Sequence, residues 1–204
     1  GPLGLPSAMN QAIAKTKLRG QFKTLRAQQL PAVQDTIIQQ VANTLQGYLN
    51  TRSLRRHIGV YWPLSGEVDL RELKLTLKLP LALPVSWEDG SLSYHPWTLT
   101  PLQKDACMIP APLYEAALEP DAIDLLLIPA LAMDQRGIRL GYGGGFFDRL
   151  RSDLTWRKIP AFAIVPQACI STELLPRDSW DIPLDGWISE TGITRLNEQL
   201  KASL

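Results

Sequence analysis

The sequence predicts an α/β fold with a mainly parallel sheet, and three observations carry that expectation. Residues 125–128, with the apolar residues 130–133 behind them, form a short run bounded by Asp124 and Asp134. Such a run reads as a strand buried on both faces, as strands of parallel sheets are. Residues 159–170, IPAFAIVPQACI, repeat the pattern. Two earlier stretches, residues 10–30 and 31–49, space their apolar side chains as amphipathic helices do instead.

In chain order, Ile13, Leu18, Phe22 and Leu25 define the first helix, interrupted only by Gly20. Lys15 and Arg19 stand four apart on one of its faces, where like charges repel and a bound polyanion would relieve them. Pro31 suits the first turn of a second helix, whose stripe of Val33, Ile37, Val41 and Leu45 faces a core. After the basic turn at residues 51–56, Ile58, Val60 and Tyr61 read as a first buried strand. The turn PLSGEVD, residues 63–69, follows and leads into a helix-compatible segment at residues 70–77. Glu67 in that turn is a helix N-terminal acid favoured by the macrodipole, or a ligand-binding carboxylate. Residues 81–87 form the next strand, residues 88–90 (EDG) a turn, and residues 91–97 a strand-like return. A loop-rich stretch runs over residues 98–124. Past residue 170 come a turn-rich link, residues 171–185, and a last strand, GWISE, at residues 186–190.

Residues 134–151 join the apolar run to a helix start, FFDRLR, through a turn ending in Gly141, Gly143, Gly144 and Gly145. Glycines at that density permit positive φ and close backbone approach, and a helix start directs unpaired N–H groups outward. That is the local chemistry of an anion cradle, though it also serves plain tight turns. Arg139 and Arg149 are available to phosphate and Asp148 to a cation. The pattern matches neither the dinucleotide fingerprint G-x-G-x-x-G nor the Walker loop.

The string from Asp134 to Asp148, DQRGIRLGYGGGFFD, resembles the signature of the 5-formyltetrahydrofolate cyclo-ligase family, also called 5,10-methenyltetrahydrofolate synthetases. Relatives usually carry Tyr-Tyr where this chain has Phe146 and Phe147, so two hydroxyls are lost while ring stacking survives. KTKLR at residues 15–19 resembles the family's K-x-x-L-R, and residues 181–192, DIPLDGWISETG, its closing motif. Residues 108–112 resemble the family's G-I-x-E-P region only loosely, and no ligand contact is carried over there.

The resemblance implies a three-layer α/β/α domain of the NagB/RpiA/CoA-transferase type. It implies conversion of 5-formyltetrahydrofolate to 5,10-methenyltetrahydrofolate with ATP as co-substrate and Mg²⁺ as cofactor, releasing ADP and phosphate. Lys15, Arg19 and Arg139 fall where relatives bind ATP phosphates, Lys15 and Arg139 being the expected catalytic cations. Leu140, Gly141, Tyr142, Gly143, Gly144, Gly145, Phe146 and Phe147 complete the ATP site by the same resemblance. Trp62 and Glu67, with Tyr142, Gly143, Gly144, Gly145 and Phe146, fall at the folate site. Asp148 and Asp185 match the pair that holds Mg²⁺, although each alone reads as a turn or helix-start residue.

Composition narrows the alternatives. The 204 residues are 45% hydrophobic and 20% charged, as in an ordinary globular domain. The Gly-Pro start is read as a tag remnant over residues 1–8, leaving residues 9–204 as one domain. With no apolar run long enough for a membrane span and no signal-peptide pattern, a cytoplasmic monomer is expected. Cys107 and Cys169 match no metal spacing and read as buried thiols in a reducing compartment. His57 and His95 read as surface or strand-end residues. Net charge is +1, yet residues 1–60 hold eight Lys or Arg against the single acid Asp35. That asymmetry suits an anionic partner, or a solvated face pairing with the acidic body. No motif for nucleic acid is present. Two other classes stay open: a non-catalytic folate-binding homologue, and a sugar-phosphate isomerase or acyl-CoA transferase of the same fold class.

Overall fold

The computed structural model describes residues 7–51 and 56–196. The expected tag remnant and the arginines of the basic turn, Arg52 and Arg55, lie largely or wholly outside the described residues. Among those described, seven strands form one sheet in the order β11-β10-β9-β6-β1-β2-β3. These are β1 (His57–Gly59), β2 (Leu81–Ser86), β3 (Leu92–Pro96), β6 (Ile123–Pro129), β9 (Ala161–Ile164), β10 (Gly186–Ser189) and β11 (Gly192–Arg195). The five central strands are mutually parallel, and β3 and β11 close the two edges antiparallel. Two short hairpins stand apart, β4 (Gln103–Lys104) with β5 (Pro110–Ala111), and β7 (Ala132–Met133) with β8 (Arg139–Leu140).

Side chains of β6 alternate between two cores, as the period of a strand requires. Leu125 and Leu127 pack with Ile37, Val41 and Leu45 of the long helix α1 (Ser7–Thr51). Leu126 and Ile128 pack on the opposite face with Leu150 of α3 (Phe146–Ser152), where Trp156 of α4 (Leu154–Arg157) joins them. The sheet is therefore covered on both sides, and the expected α/β/α layering holds. The remaining helix, α2 (Leu73–Thr76), is a single turn rather than the longer segment the pattern over residues 70–77 suggested. Among the described residues, no helix is long and apolar enough to cross a membrane.

Four expectations need correction. The two N-terminal helices are one helix of 45 residues with Pro31 inside it. Pro31 has no N–H to give the carbonyl of Ala27, but both residues face solvent, where water can satisfy that oxygen. Packing of the flanking halves outweighs the local cost. The run through residue 133 divides at Pro129, because Leu131 leaves the sheet to donate its N–H to Leu140 O at 2.8 Å. The strand at residues 159–170 ends at Ile164, and Pro166 opens a 3₁₀ turn at Gln167–Cys169. GWISE is not the last strand, since β11 pairs back along it. Hydropathy marks burial and cannot tell where a buried chain departs from its sheet.

Two side-chain expectations also change. Cys107 is exposed in the turn joining β4 to β5, whereas Cys169 is buried as expected. His95 is 4% exposed on β3, its ring bonded to Ser93 Oγ and Glu115 O at 2.7 Å each.

Candidate functional site

A cavity of about 630 Å³ opens beyond the carboxyl ends of β1, β2 and β6, where Tyr61 and Trp62, Ser86, and Pro129 line it. Open α/β sheets gather ligands at that edge, because the loops leaving the strands converge there. The glycine turn, residues 141–145, and the first helical turn of α3 form one wall, and the N-terminal half of α1 another.

One end of the cavity holds a polar chain in which buried Glu67 and Arg26 meet through the half-exposed Tyr142. Glu67 sits in the turn after β1, held by Gly66 in the left-handed region at φ 83°. Its Oε1 accepts the Leu64 N–H at 2.7 Å and its Oε2 accepts the Tyr142 hydroxyl at 3.0 Å. The Tyr142 oxygen in turn accepts a 2.6 Å bond from Arg26 Nη2. Burial, followed by the charge of Glu67, holds the Tyr142 hydroxyl above its ordinary pKa, so it remains a donor. Trp62 beside them is packed edge-on to Trp97 and carries the Arg71 guanidinium over its ring at 4.7 Å.

The opposite end is ionic. Lys15 Nζ donates to Asp178 Oδ2 and to Asp181 Oδ2, at 2.6 Å each. Burial works against the ammonium, yet the two carboxylates hold its pKa above the ordinary value. Arg19, one turn along α1, donates from Nε to Gly141 O at 2.8 Å. Asp148 lies in the first turn of α3, with Oδ1 accepting the Ile182 N–H at 3.2 Å. Burial and then the charge of Asp181 hold its carboxyl above the ordinary carboxylate value. With Lys15 held on Asp181, a phosphate that drew Lys15 away would leave Asp148 and Asp181 as a pair that favours a cation.

Arg139 joins the two ends. It donates from Nε to Pro129 O at 2.6 Å and stacks over the Phe147 ring at 4.9 Å. Burial lowers its pKa without threatening its charge, since an arginine stays protonated throughout the working range. Arg149 stacks over Phe146 at 5.1 Å and donates to Gly90 O and Gly144 O. Gly143, at φ 98°, lets the Arg19 guanidinium approach to 3.4 Å of where a Cβ would stand.

The fold thus brings Lys15, Arg19, Trp62, Glu67, Arg139 and residues 140–148 to one cavity. Asp185 is not among them. Its Oδ2 accepts the Ala161 N–H at 2.9 Å, at the amino end of β9, and the aspartate acting on Asp148 is Asp181. The structure thus brings Asp181, rather than Asp185, into the cavity beside Asp148. The closing motif contains both aspartates, and only the path of the link before β10 distinguishes them. Sequence reasoning also missed Asp178 and Arg26. No local pattern marks either, because their partners stand 163 and 116 residues away.

Among the described residues, no group of three or more His, Cys, Asp or Glu is disposed to hold a metal ion. Two carboxylates with the remaining positions left to phosphate oxygens and water fit Mg²⁺, which keeps much of its hydration. A softer metal would want other ligands.

Comparison with known proteins identifies the family. The profile of the 5-formyltetrahydrofolate cyclo-ligase family matches residues 11–190. The 5-formyltetrahydrofolate cyclo-ligase of Haemophilus influenzae is 26% identical over 186 residues, covering 83% of this chain and 92% of that protein. That of Mycolicibacterium smegmatis is 31% identical over 143 residues, covering 64% of this chain and 73% of that protein. The structure of Aquifex aeolicus 5,10-methenyltetrahydrofolate synthetase superposes with a TM-score of 0.71 at 25% identity, over 90% of this chain and 93% of that one. A match across so much of the chain, with its glycine turn and basic helix lining one cavity, makes this protein a member of the 5-formyltetrahydrofolate cyclo-ligase family.

Proposed function

We propose that the protein converts 5-formyltetrahydrofolate to 5,10-methenyltetrahydrofolate with ATP and Mg²⁺, releasing ADP and phosphate. The observation that carries this reading is the division of the cavity: an acceptor end at Glu67 and Tyr142, and an ionic end where Lys15 and Arg19 stand with Asp148, Asp178 and Asp181, bridged by Arg139.

The chemical need explains that division. Hydroxide is a poor leaving group from a formamide, so the formyl oxygen must first be activated. Attack of that oxygen on the γ-phosphorus of ATP breaks the bond to ADP and leaves a phosphate ester. N10 of the folate then attacks the formyl carbon, phosphate departs with the oxygen, and N10 loses its proton as the ring closes. Positioning and charge stabilisation dominate such transfers, and no side-chain nucleophile is required.

In this reading Lys15, Arg19 and Arg139 bind the phosphates, and Lys15 leaves its carboxylates to do so. Residues 140–147 wrap the nucleotide, their glycines admitting close backbone approach. Glu67 and Tyr142 hold the folate, since an ionised carboxylate accepts N–H bonds and donates none. Trp62 and Phe146 give the flat ring apolar faces. Asp148 and Asp181 are the residues to hold Mg²⁺, which when bound neutralises charge on the phosphate oxygens. Residues 9–204 act as one unit.

The test follows methenyltetrahydrofolate absorbance with purified protein, 5-formyltetrahydrofolate, ATP and Mg²⁺, omitting each in turn. Product only from the complete mixture supports the proposal. Folate bound without turnover points to a binding homologue, and no folate binding at all rejects the reading.

A further inference from the structure

We infer that Arg26 is a positioning residue of the substrate site, acting through the Tyr142 hydroxyl to orient Glu67; the inference rests on the assignment of Glu67 to the folate end. Arg26 is 1% exposed, belongs to the helix α1 and does not itself line the cavity. Its Nη1 donates to Ala130 O at 2.8 Å, its Nη2 to the Tyr142 hydroxyl at 2.6 Å, and its Nε has no hydrogen-bond partner. Gly66, next to Glu67, brings its backbone so near that a Cβ there would stand 3.5 Å from Nη2. The guanidinium therefore bonds α1 to two loops and lies against a third.

A buried guanidinium is an expensive way to fill space. An apolar side chain of similar volume commonly stabilises a fold as well or better, and one donor here is left unpaired. The arrangement instead has a directional effect. Guanidinium only donates, so the Tyr142 oxygen must accept from it, and the one phenolic proton is committed to Glu67 Oε2 at 3.0 Å. The Leu64 N–H pins the other oxygen at 2.7 Å. Both carboxylate oxygens are thus fixed in place, each with a second lone pair available to N–H donors of a ligand. Without Arg26 the hydroxyl is free to rotate and accept, and the carboxylate loses its fixed orientation.

Arg26→Met, Arg26→Lys and Tyr142→Phe, each alone, and the double variant Arg26→Met/Tyr142→Phe test this. Loss of a hydrogen bond to a charged group should raise KM for 5-formyltetrahydrofolate about tenfold or more in Arg26→Met and in Tyr142→Phe. KM for ATP should be unchanged in Arg26→Met, whose side chain does not line the cavity, and Arg26→Lys should recover part of the loss. The double variant should be no worse than the poorer single, because both changes cut the same chain. Losses that multiply in the double variant, or equal rises in KM for both substrates in Arg26→Met, overturn the inference. If Arg26→Met fails to fold, Arg26→Lys decides: a raised KM for 5-formyltetrahydrofolate with KM for ATP unchanged upholds the inference, and unaltered KM for 5-formyltetrahydrofolate or equal rises for both substrates overturn it. Turnover by the unaltered protein is read first: its absence rejects the folate assignment, whereas its presence with unaltered KM in the variants rejects only the role of Arg26.

Discussion

Exchanging Asp181 for Asn and, separately, Asp185 for Ala assigns different work to two aspartates four residues apart. Asp181→Asn keeps an oxygen for the Asp178 N–H, which Asp181 Oδ2 now accepts at 2.8 Å, but removes the charge shared with Asp148. Loss of even an outer-shell partner costs a metal about tenfold to hundredfold in affinity, and losing a direct carboxylate should cost at least that. Asp185→Ala leaves the buried Ala161 N–H without the carboxylate that accepts it at 2.9 Å. An unsatisfied buried donor costs about 1–3 kcal/mol. At about 2–4 °C per kcal/mol for a chain of this size, Tm should fall by roughly 2–12 °C. The assay titrates Mg²⁺ against the rate of methenyltetrahydrofolate formation, repeats the titration by calorimetry with a non-hydrolysable ATP analogue, and follows unfolding by circular dichroism. Asp181→Asn should shift the Mg²⁺ midpoint with little change in Tm, since the weakened Lys15 pair is offset by relief of repulsion on Asp148, and Asp185→Ala should do the reverse. A shifted midpoint in Asp185→Ala alongside an unshifted one in Asp181→Asn would refute the reasoning.

Three further outcomes are expected. Asp148 has a folded-state pKa raised by burial and by Asp181, so the folded chain holds its proton more tightly than the unfolded chain, and stability is lost as pH rises from the ordinary 3.8 through the raised value. Asp148→Asn should therefore raise Tm at neutral pH in metal-free buffer and lose that advantage in acid; a gain that persists in acid would contradict this. Pro31→Ala restores an N–H for the Ala27 carbonyl, and the roughly 3 kcal/mol helix penalty of proline, less about 1 kcal/mol of unfolded-chain entropy, predicts a net gain near 2 kcal/mol, read as a higher Tm. No gain would mean the helix carries no strain there. Of the two thiols, exposed Cys107 should react rapidly with Ellman's reagent, whereas Cys169, its pKa pushed up to about 11 by burial, should react only on unfolding. Because Cys107 lines the cavity, ATP with folate should slow its labelling, and two thiols reacting at one rate would count against both statements.

The sequence alone determined the α/β class, both faces of β6, the glycine turn and the two cations of α1. Each is written in neighbouring residues: a run too apolar for a half-exposed strand, glycines too dense for a helix, charges four apart. Trp62 and Glu67 were placed by resemblance to the family, the turn after a buried strand pointing only to an edge where ligands gather, and both line the cavity. What the tertiary structure alone decided depends on residues far apart in the chain. Pro31 reads locally as a helix start, yet packing on both sides of it carries one helix through. Arg26 reads as one more basic residue until Tyr142 and Ala130 are brought to its guanidinium. Asp181 and Asp185 are equivalent by spacing, and they part because the chain turns between them, leaving one beside Asp148 and Lys15 and the other at the amino end of β9. Local chemistry sets which groups a segment offers; which of them meet is set by closure of the chain around its two cores.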